Sequence, residues 1–386
     1  MSSEGVNNAV TVSFSSTGGG GDVHMRELLK VFKRYYGLNI TNITIPLLNG
    51  KFDILSNFVT LISSLFSRTP ELPSLDRHST VVVSSSPYPA NVITSVRIAR
   101  KNGYPCLVYF HHITDNFKFL TRRGPMRVFI NYVVSSTSLV ICRVFDIAIF
   151  LDNHDFYDLP LERIYEDEDA PSFGPNCQSS ISAVKEFDIC YIGRFEKHKG
   201  SEDIVKVIEY LNSSGMGVKA VIIGSFDAHY KGNVEKRMKE RAKNSSVTFT
   251  GYVSEDEKIS ILSSSKVYLH LSYEEGWSLS VMDAAALGIP IVAYDLFAYS
   301  YLKGHFYSVT AGDRKAASKA IADIISNYGE ALRIAELAKS VVRSYKYEKI
   351  AEYQIDCYNR ELSRNGIRRS LKQNKLSKRR TKEGAL

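Results

Sequence analysis

Short runs of β-branched and aromatic residues alternate with longer segments of helical periodicity along the chain. Apolar strands separated by helices are typical of parallel sheets that are covered on both faces. The pattern therefore predicts an α/β protein. Nine runs are predicted as strands: VTVSF at 10–14, VVVSS at 81–85, LVYF at 107–110, IAIFL at 147–151, DICYIG at 188–193, VKAVIIG at 218–224, VTFTG at 247–251, VYLHLS at 267–272 and IPIVAYD at 289–295.

One segment between the fourth and fifth strands lacks apolar periodicity. It is acidic and then rich in Pro, Gly and Ser, which favours a linker at residues 166–184. We expect one α/β domain on each side of it, at 1–165 and 185–345. A C-terminal helix at 346–362 and a basic tail at 363–386 complete the predicted organisation.

The longest apolar stretch, residues 128–151, is interrupted by Arg143 and Asp146. Charges near the middle of a bilayer are costly, so a membrane span is disfavoured. We expect a buried helix followed by the strand FDIAIFL. The first residues, MSSEGVNNAVTVSF, lack a basic region and a long apolar core, so the expected location is cytoplasmic.

The net charge of +8 is confined to the C-terminal segment. Ten Lys or Arg and two Glu lie from Arg360 onwards, so the preceding residues are neutral as a whole. This distribution argues against a whole-domain nucleic-acid binder. Ile367, Leu371 and Leu376 lie among the cations, and the tail is predicted to be either an interfacial helix on anionic lipid or a solvated, disordered segment. The five cysteines are scattered without a CxxC pair, which argues against a disulfide framework or a zinc cluster.

The first strand ends in a glycine-rich turn formed by Gly18, Gly19, Gly20 and Gly21, and Asp22 can cap the helix that follows. Glycines at such a turn let backbone N–H groups approach a phosphate at the positive end of a helix. The spacing matches neither a P-loop nor a dinucleotide-binding fingerprint. Taken alone, the turn favours a flexible connection between elements.

Two cations, Arg194 and Lys199, follow the predicted strand DICYIG and precede the amphipathic helix SEDIVKVIEYL. Parallel sheets bind ligands at the carboxyl ends of their strands, which is where this loop lies. The guanidinium fork and the ammonium group could pair with a diphosphate. By itself, the loop favours the alternative of an ordinary basic surface.

The turn after VYLHLS carries the most specific pattern, YEEGWSLSVMD. Backbone N–H groups of Trp277, Ser278 and Leu279 are predicted to open a helix and to form an anion site. Glu275 lies at its mouth, and Asp283 follows eight residues later, about two helical turns away. Both carboxylates are therefore predicted to share one face and to bind hydroxyl groups at the two ends of a nucleotide sugar.

These motifs resemble those of the GT-B glycosyltransferases, specifically glycosyltransferase family 4. YIGRFEKHKG is similar to that family's GR…KG loop, VIIGSF to its next strand, and the stretch from VTFTG to IVAYD to its donor-site region. The resemblance is strong over residues 186–295. It is weaker in the N-terminal half, where the glycine-rich turn and YFHHITDN match.

The resemblance implies a GT-B fold, with two Rossmann-like doubly wound domains that face each other across a cleft. The first domain would hold the acceptor and the second a nucleotide-sugar donor. Family members typically transfer the sugar with retention of configuration and need no metal or other cofactor. A hexose is the expected sugar.

The resemblance also implies residue roles. Arg194 and Lys199 would grip the donor diphosphate, and Glu275 would hydrogen-bond the sugar. Backbone donors would come from Gly276, Trp277, Ser278 and Leu279, ribose contacts from Asp283, and contacts across the cleft from Gly19 and Gly20. His111 is the better match to the family's cleft histidine, with His112 as the alternative, since strand alternation turns only one of them into the cleft.

Three features depart from the family pattern. Asp283 replaces the usual Glu at the second acidic position, and the Asn-Gly-Val-Asp segment that commonly precedes the second domain is missing. The segment DLFAYSYLKG lacks the usual Gly-Gly and Glu.

The acceptor is expected to be a lipid-linked or surface glycan, with the tail on an anionic membrane surface. The alternative function is a non-catalytic GT-B subunit that binds a sugar nucleotide and lost turnover through the change at Asp283. Retention of Arg194, Lys199 and Glu275 argues against that alternative. An RNA-binding role has no aromatic-interleaved basic surface to support it.

Overall fold

A computed structural model describes residues 5–14, 20–46, 54–110, 125–151, 164–165, 182, 184–226, 228–275 and 277–383. The chain divides into two compact units. Unit 1 comprises Met1–Ser172 with Tyr347–Leu386, and unit 2 comprises Phe173–Lys346. Each unit contains one six-stranded sheet whose described pairings are all parallel. The predicted α/β class with parallel sheets is confirmed.

The sheet of unit 1 has the strand order β2-β1-β3-β4-β5-β6. Its strands are β1 (Asn8–Phe14), β2 (Asn39–Ile45), β3 (Thr80–Ser84), β4 (Cys106–Phe110), β5 (Ala148–Leu151) and β6 (Ile164–Tyr165). Its helices are α1 (Gly20–Tyr36), α2 (Ile54–Phe66), α3 (Pro89–Asn102), α4 (Pro125–Phe145) and α11 (Tyr347–Glu383).

Apolar side chains project from both faces of this sheet. One face buries Val83 and Tyr109 against α1 and α11. The other face buries Val82 and Val108 against α3 and α4. Burial on both faces explains why the central strands are nearly continuous apolar runs.

The stretch at 128–151 forms the predicted helix and strand, here α4 and β5, but the expectation of a buried helix was wrong for one side of α4. Cys142 is fully buried, whereas Val140 is 60% and Val144 is 69% exposed. An apolar helix packs against a sheet along one face only, so α4 keeps apolar side chains on its outer surface. None of the described helices is long and apolar enough to cross a bilayer.

Helix α11 returns the chain to unit 1. Its first half buries Ile350, Ile355 and Tyr358 in the core of that unit, and the Tyr358 hydroxyl lies 2.8 Å from that of Tyr109. The helix then continues through the basic segment to Glu383. The predicted linker at 166–184 lies almost entirely outside the described residues.

The sheet of unit 2 has the strand order β12-β11-β10-β7-β8-β9. Its strands are β7 (Phe187–Ile192), β8 (Lys219–Ile223), β9 (Ser246–Gly251), β10 (Ser265–His270), β11 (Ile291–Tyr294) and β12 (Tyr307–Val309). Its helices are α5 (Ser201–Ser213), α6 (Ala228–Arg241), α7 (Glu255–Ser263), α8 (Leu279–Leu287), α9 (Arg314–Ser326) and α10 (Tyr328–Val342). Two apolar clusters, one on each face of the sheet, form the core.

All nine predicted strands are present, and the part of the chain that the structure describes contains three further strands that the sequence pattern did not predict. Strand β2, NITNITI, is an edge strand with alternating partial exposure, so it has no apolar run. Strands β6 and β12 have only two and three residues. Edge and very short strands leave little hydrophobic pattern in a sequence.

Candidate active site

The loops that follow β7 and β10 leave the sheet of unit 2 side by side. The chain adds β8 and β9 on one side of β7 and then places β10 on the other side, so the strand order reverses between β7 and β10. Open parallel sheets bind ligands at such a reversal, outside the carboxyl ends of the strands. The loop with the two predicted cations follows β7, and the acidic turn follows β10. The topology therefore brings the two motifs together.

Gly200 fixes the loop after β7 against the end of β10. Its φ is +77°, and a Cβ added to it would lie 1.9 Å from the carbonyl oxygen of Leu271. Only glycine satisfies both the left-handed backbone and this close approach. The preceding residue, Lys199, is thereby held beside the turn that carries Glu275.

Lys199, Glu275 and His270 form a continuous hydrogen-bonded group. The Lys199 Nζ atom donates to Glu275 Oε1 at 2.7 Å, and His270 Nε2 lies 2.9 Å from the same oxygen. The Glu275 and His270 side chains are only 11% and 4% exposed. Burial opposes ionisation of Glu275, but the charge of Lys199 and the hydrogen bond from His270 outweigh it and hold the pKa of Glu275 well below its usual range. The site thus presents an ionised carboxylate beside an ammonium group.

His270 was missed by the sequence reasoning, which assigned it only to a strand. Its ring is enclosed by the rings of Tyr191, Tyr268 and Tyr299, at centroid distances of 6.2, 5.7 and 6.0 Å. The Tyr268 hydroxyl lies 3.1 Å from His270 Nδ1 and 2.7 Å from the hydroxyl oxygen of Ser280. The ring is therefore fixed from both sides, and it orients the Glu275 carboxylate. The sequence feature that could have indicated His270 as a site residue is its place at the last position of the strand before an acidic turn.

Arg194 lies on the same loop with its side chain at the surface. The Tyr191 hydroxyl donates to the Arg194 carbonyl oxygen at 2.9 Å and holds the backbone. The guanidinium is 58% exposed, and its Nη1 lies 3.5 Å from Glu196 Oε1. An exposed pair of this kind is weak, so the guanidinium can exchange Glu196 for an anionic ligand at little cost.

The start of α8 gives the site its second source of positive potential. Ser278 is the N-cap, and its hydroxyl oxygen accepts from the Val281 N–H at 3.4 Å. The first N–H groups of a helix have no acceptor within the helix, and they favour an anion. Trp277 stacks on Tyr301 at 4.6 Å and donates from Nε1 to Met282 Sδ at 2.8 Å. These contacts anchor the turn between Glu275 and the helix.

Asp283 lies in a different setting from Glu275. Glu275 precedes α8, so the helical spacing used to place the two carboxylates on one face does not apply. Asp283 is fully buried, and its Oδ2 accepts from Lys258 Nζ of α7 at 3.1 Å. Burial opposes the charge on Lys258, but Asp283 and Glu255 outweigh it and raise the pKa of Lys258. Binding of ribose hydroxyls by Asp283 stays a prediction.

A second group that the sequence reasoning missed surrounds Asp203. This carboxylate is 2% exposed, and it accepts hydrogen bonds from the hydroxyls of Tyr273 and Tyr294 and from the guanidinium of Arg314. Asp203 lies in the first turn of α5, just after Gly200, and Tyr273 lies just before the acidic turn. The hydrogen bonds around Asp203 therefore connect the loop that follows β7 with the loop that follows β10.

Several predicted site residues fall outside the described residues: Gly19, Gly276, His111 and His112. Gly20 is the first residue of α1. Among the residues that the structure does describe, no group of three or more His, Cys, Asp or Glu side chains could hold a metal ion. Independence from metal remains a prediction.

The comparison with protein families identifies the class of unit 2. Residues 176–341 match the family model of the glycosyl transferases group 1. This segment includes Arg194, Lys199, His270, Glu275 and Asp283. Residues 176–341 are therefore similar to the glycosyl transferases group 1, in agreement with the resemblance to GT-B enzymes of family 4.

Two curated relatives match parts of the chain. An alpha-galactosylglucosyldiacylglycerol synthase from Streptococcus pneumoniae is 25% identical over 46% of this chain and 46% of its own length. A capsular polysaccharide biosynthesis glycosyltransferase, CapM, from Staphylococcus aureus is 27% identical over 38% of each. The matched region thus spans less than half the length of these relatives.

Solved structures extend the likeness in fold to both units. A sucrose-phosphate synthase from Thermosynechococcus elongatus covers 92% of this chain and 99% of its own, with a TM-score of 0.68 and 15% identity. The Anabaena protein HepE, in complex with UDP and glucose, covers 90% and 98%, with a TM-score of 0.62 and 13% identity. At these identities the comparison concerns the fold alone, and the fold is that of the GT-B glycosyltransferases, as the resemblance implied.

Proposed function

We propose that the protein is a retaining glycosyltransferase that moves a hexose from a nucleotide sugar to a hydroxyl acceptor without a metal. The observation that carries the proposal is the Lys199–Glu275 pair at the point where the strand order of unit 2 reverses. The family match over residues 176–341 supports it.

The pair suits the chemistry of a sugar diphosphate. Glu275 is ionised and buried, so it can accept hydrogen bonds from sugar hydroxyls. The Lys199 ammonium also contacts the Glu274 carbonyl oxygen at 3.5 Å, which leaves one of its three hydrogens for a further acceptor, such as a phosphate oxygen. Arg194 and the start of α8 add positive potential. A ligand that joins a polyol to a diphosphate would satisfy all of these groups at once.

The same groups would assist the transfer step. The bond between the anomeric carbon and the diphosphate oxygen breaks, and a bond to the acceptor oxygen forms. The acceptor proton passes to the leaving diphosphate. Fixed positive charge from Lys199 and Arg194 stabilises that leaving group as its charge develops. We propose attack on the same face as departure, as the resemblance to family 4 implies, rather than a double displacement through two carboxylates.

The acceptor proposal is a lipid-linked or surface glycan. The relatives named above are a glycolipid synthase and a capsular polysaccharide glycosyltransferase, which favours acceptors of this class. The basic C-terminal helix supports a partner with anionic charge, such as a cytoplasmic membrane surface.

A thermal-shift screen tests the donor site. Purified protein is heated with UDP-, GDP-, ADP- and dTDP-sugars in EDTA, and UDP-glucose comes first because HepE is described with UDP and glucose. A ligand that binds only the native state raises the midpoint. We expect one nucleotide class to raise it for the wild type and not for Lys199→Ala.

The matched control is Lys319→Ala, an exposed lysine of α9 in the same unit, which should respond like the wild type. Release of free nucleotide from the stabilising donor is then measured by coupled assay. Turnover supports the transferase, whereas tight binding without turnover supports the non-catalytic sugar-nucleotide subunit. If no sugar nucleotide raises the midpoint, the proposed donor site is wrong.

A further inference from the structure

Three helices of unit 1 form one layer over one face of its sheet. Helices α2, α3 and α4 make the successive crossovers from β2 to β5, and α3 contacts both of its neighbours. The inner side of this layer packs against Val10, Val82 and Val108. On its outer side, α2 and α4 expose apolar side chains.

Helix α4 exposes an apolar stripe. Val133, Val140 and Val144 lie on one helical face and are 43%, 60% and 69% exposed. The inward positions include Ser138 and Cys142, both fully buried. A surface helix of a water-soluble domain normally has the opposite arrangement, with its polar residues outward.

Helix α2 repeats this inversion. Ile62, Leu65 and Phe66 are 41%, 50% and 84% exposed, whereas Thr60 and Ser64 are 5% exposed. The Ser64 hydroxyl is satisfied by its own helix, since it donates to the Leu61 carbonyl oxygen at 2.7 Å. Two helices of one layer thus turn apolar side chains outward, which is a pattern associated with an interaction surface.

The charged side chains within the three helices are all cationic. Helices α2, α3 and α4 contain five Arg or Lys and no Asp or Glu. Arg100, Lys101 and Arg143 are exposed, and the Arg100 guanidinium lies 4.8 Å from the ring centre of Phe145 at the end of α4. Cations at the border of an apolar surface suit an anionic bilayer, whose headgroups meet the charges while the acyl region takes the apolar side chains.

The basic helix α11 leaves unit 1 at the end of this layer. Asn365 Nδ2 donates to the carbonyl oxygen of Gly103, the C-cap residue of α3, at 3.1 Å. Arg364 lines a pocket together with Arg100 and Phe145, and Asp146 and Glu361 line the same pocket. The basic segment of α11 therefore begins where α3 and α4 end, so its charge adds to that of the layer.

We propose that the outer face of α2, α3 and α4 is a docking surface for an anionic lipid bilayer, with the apolar stripes inserted among the headgroups. A second copy of the chain fits less well, because a two-fold dimer through this face would place cations against cations. The inference concerns unit 1 alone and does not depend on the donor site of unit 2.

Flotation of the full-length protein with vesicles tests the proposal. Vesicles of phosphatidylcholine alone are compared with vesicles that contain phosphatidylglycerol. We expect binding to the anionic vesicles, reduced at least about tenfold in Phe66→Glu/Val140→Glu. Leu337→Glu is the matched control, because Leu337 is 50% exposed on α10 of unit 2, and it should bind like the wild type. Equal thermal midpoints confirm that the variants are folded.

A second variant separates the helix layer from the tail. Replacing Lys378, Arg379 and Arg380 with Gln should weaken binding, and adding Phe66→Glu/Val140→Glu should weaken it further. The proposal is overturned if the wild type ignores anionic vesicles or if Phe66→Glu/Val140→Glu floats like the wild type. It is also overturned if sedimentation shows a dimer that this double variant disrupts, without any vesicle binding. Donor binding in solution stays unchanged in every variant if the two proposals are independent.

Discussion

The buried pair between Lys258 and Asp283 offers a direct test of how the donor half is held together. In Lys258→Met, the carboxylate of Asp283, which is fully buried, loses its 3.1 Å partner. Removing one member of a buried ion pair costs about 3 to 5 kcal/mol, because the other charge stays in a poorly solvating environment. Lys258 keeps some access to water, with 13% of its side chain exposed, so we expect about 3 kcal/mol.

Trp277 is the only tryptophan of the chain, and it adjoins α8 in unit 2, so its fluorescence reports the unfolding of that unit. With a urea dependence of about 2 kcal/mol per molar, Lys258→Met should lower the midpoint by about 1.5 M. Lys258→Met/Asp283→Leu should recover most of this loss, since the double variant also removes the buried carboxylate. Lys266→Met, which breaks the more exposed pair with Asp188, should cost about 1 kcal/mol or less.

A midpoint for Lys258→Met within about 0.5 M of the wild type would refute this reasoning. The Lys258–Asp283 pair would then contribute little to the stability of unit 2. A tenfold weaker affinity for the stabilising nucleotide in Asp283→Asn, with unchanged stability, would establish the predicted ribose contact instead.

Three further predictions concern the site loops. Because the pKa of Glu275 is lowered in the folded state, its ionised carboxylate stabilises the fold above the ordinary Glu pKa of about 4.3, and this contribution is lost as the pH falls towards the folded-state pKa. Thermal midpoints measured from pH 5 to pH 3 should therefore fall more steeply for the wild type than for Glu275→Gln. Parallel pH profiles would contradict this prediction. Gly200→Ala should lower the free energy of unfolding by about 2 kcal/mol or more in urea titrations. Gly232→Ala is the control, because Gly232 lies within α6 and an added Cβ would meet no atom there; it should be neutral or stabilising by up to about 1 kcal/mol. Asp203→Asn weakens the bond to Arg314 and should cost about 2 kcal/mol in the same titration; an unchanged midpoint would rule out the role of this carboxylate in joining the loops.

The strands were predictable wherever the sheet buries both of their faces. Runs such as VVVSS and VKAVIIG are apolar because neighbours cover them on two sides. The hydrophobic pattern did not predict strand β2, because an edge strand is only partly covered and tolerates Asn and Thr. The position of α4 was also predictable, but an apolar sequence does not tell which of its sides remains in contact with solvent.

The candidate site was predictable to the extent that it consists of local motifs. Lys199 and Glu275 lie in loops whose residue types indicate binding of a diphosphate and of sugar hydroxyls. His270 contacts Glu275 only because a turn folds back on the strand end, and this is visible in three dimensions alone. The partners Asp203 and Arg314 are 111 residues apart, and Lys258 and Asp283 are 25 apart, so no local pattern could join them.

The return of α11 to unit 1 has a consequence for the order of folding during synthesis. Ile350, Ile355 and Tyr358 belong to the core of the unit whose strands are translated first. Unit 2 is encoded between the two parts of unit 1, so it can fold its own core while unit 1 still lacks helix α11. The first unit to leave the ribosome is therefore the last to be completed, and until then the face of its sheet beside α1 remains a hydrophobic surface open to chaperones and proteases.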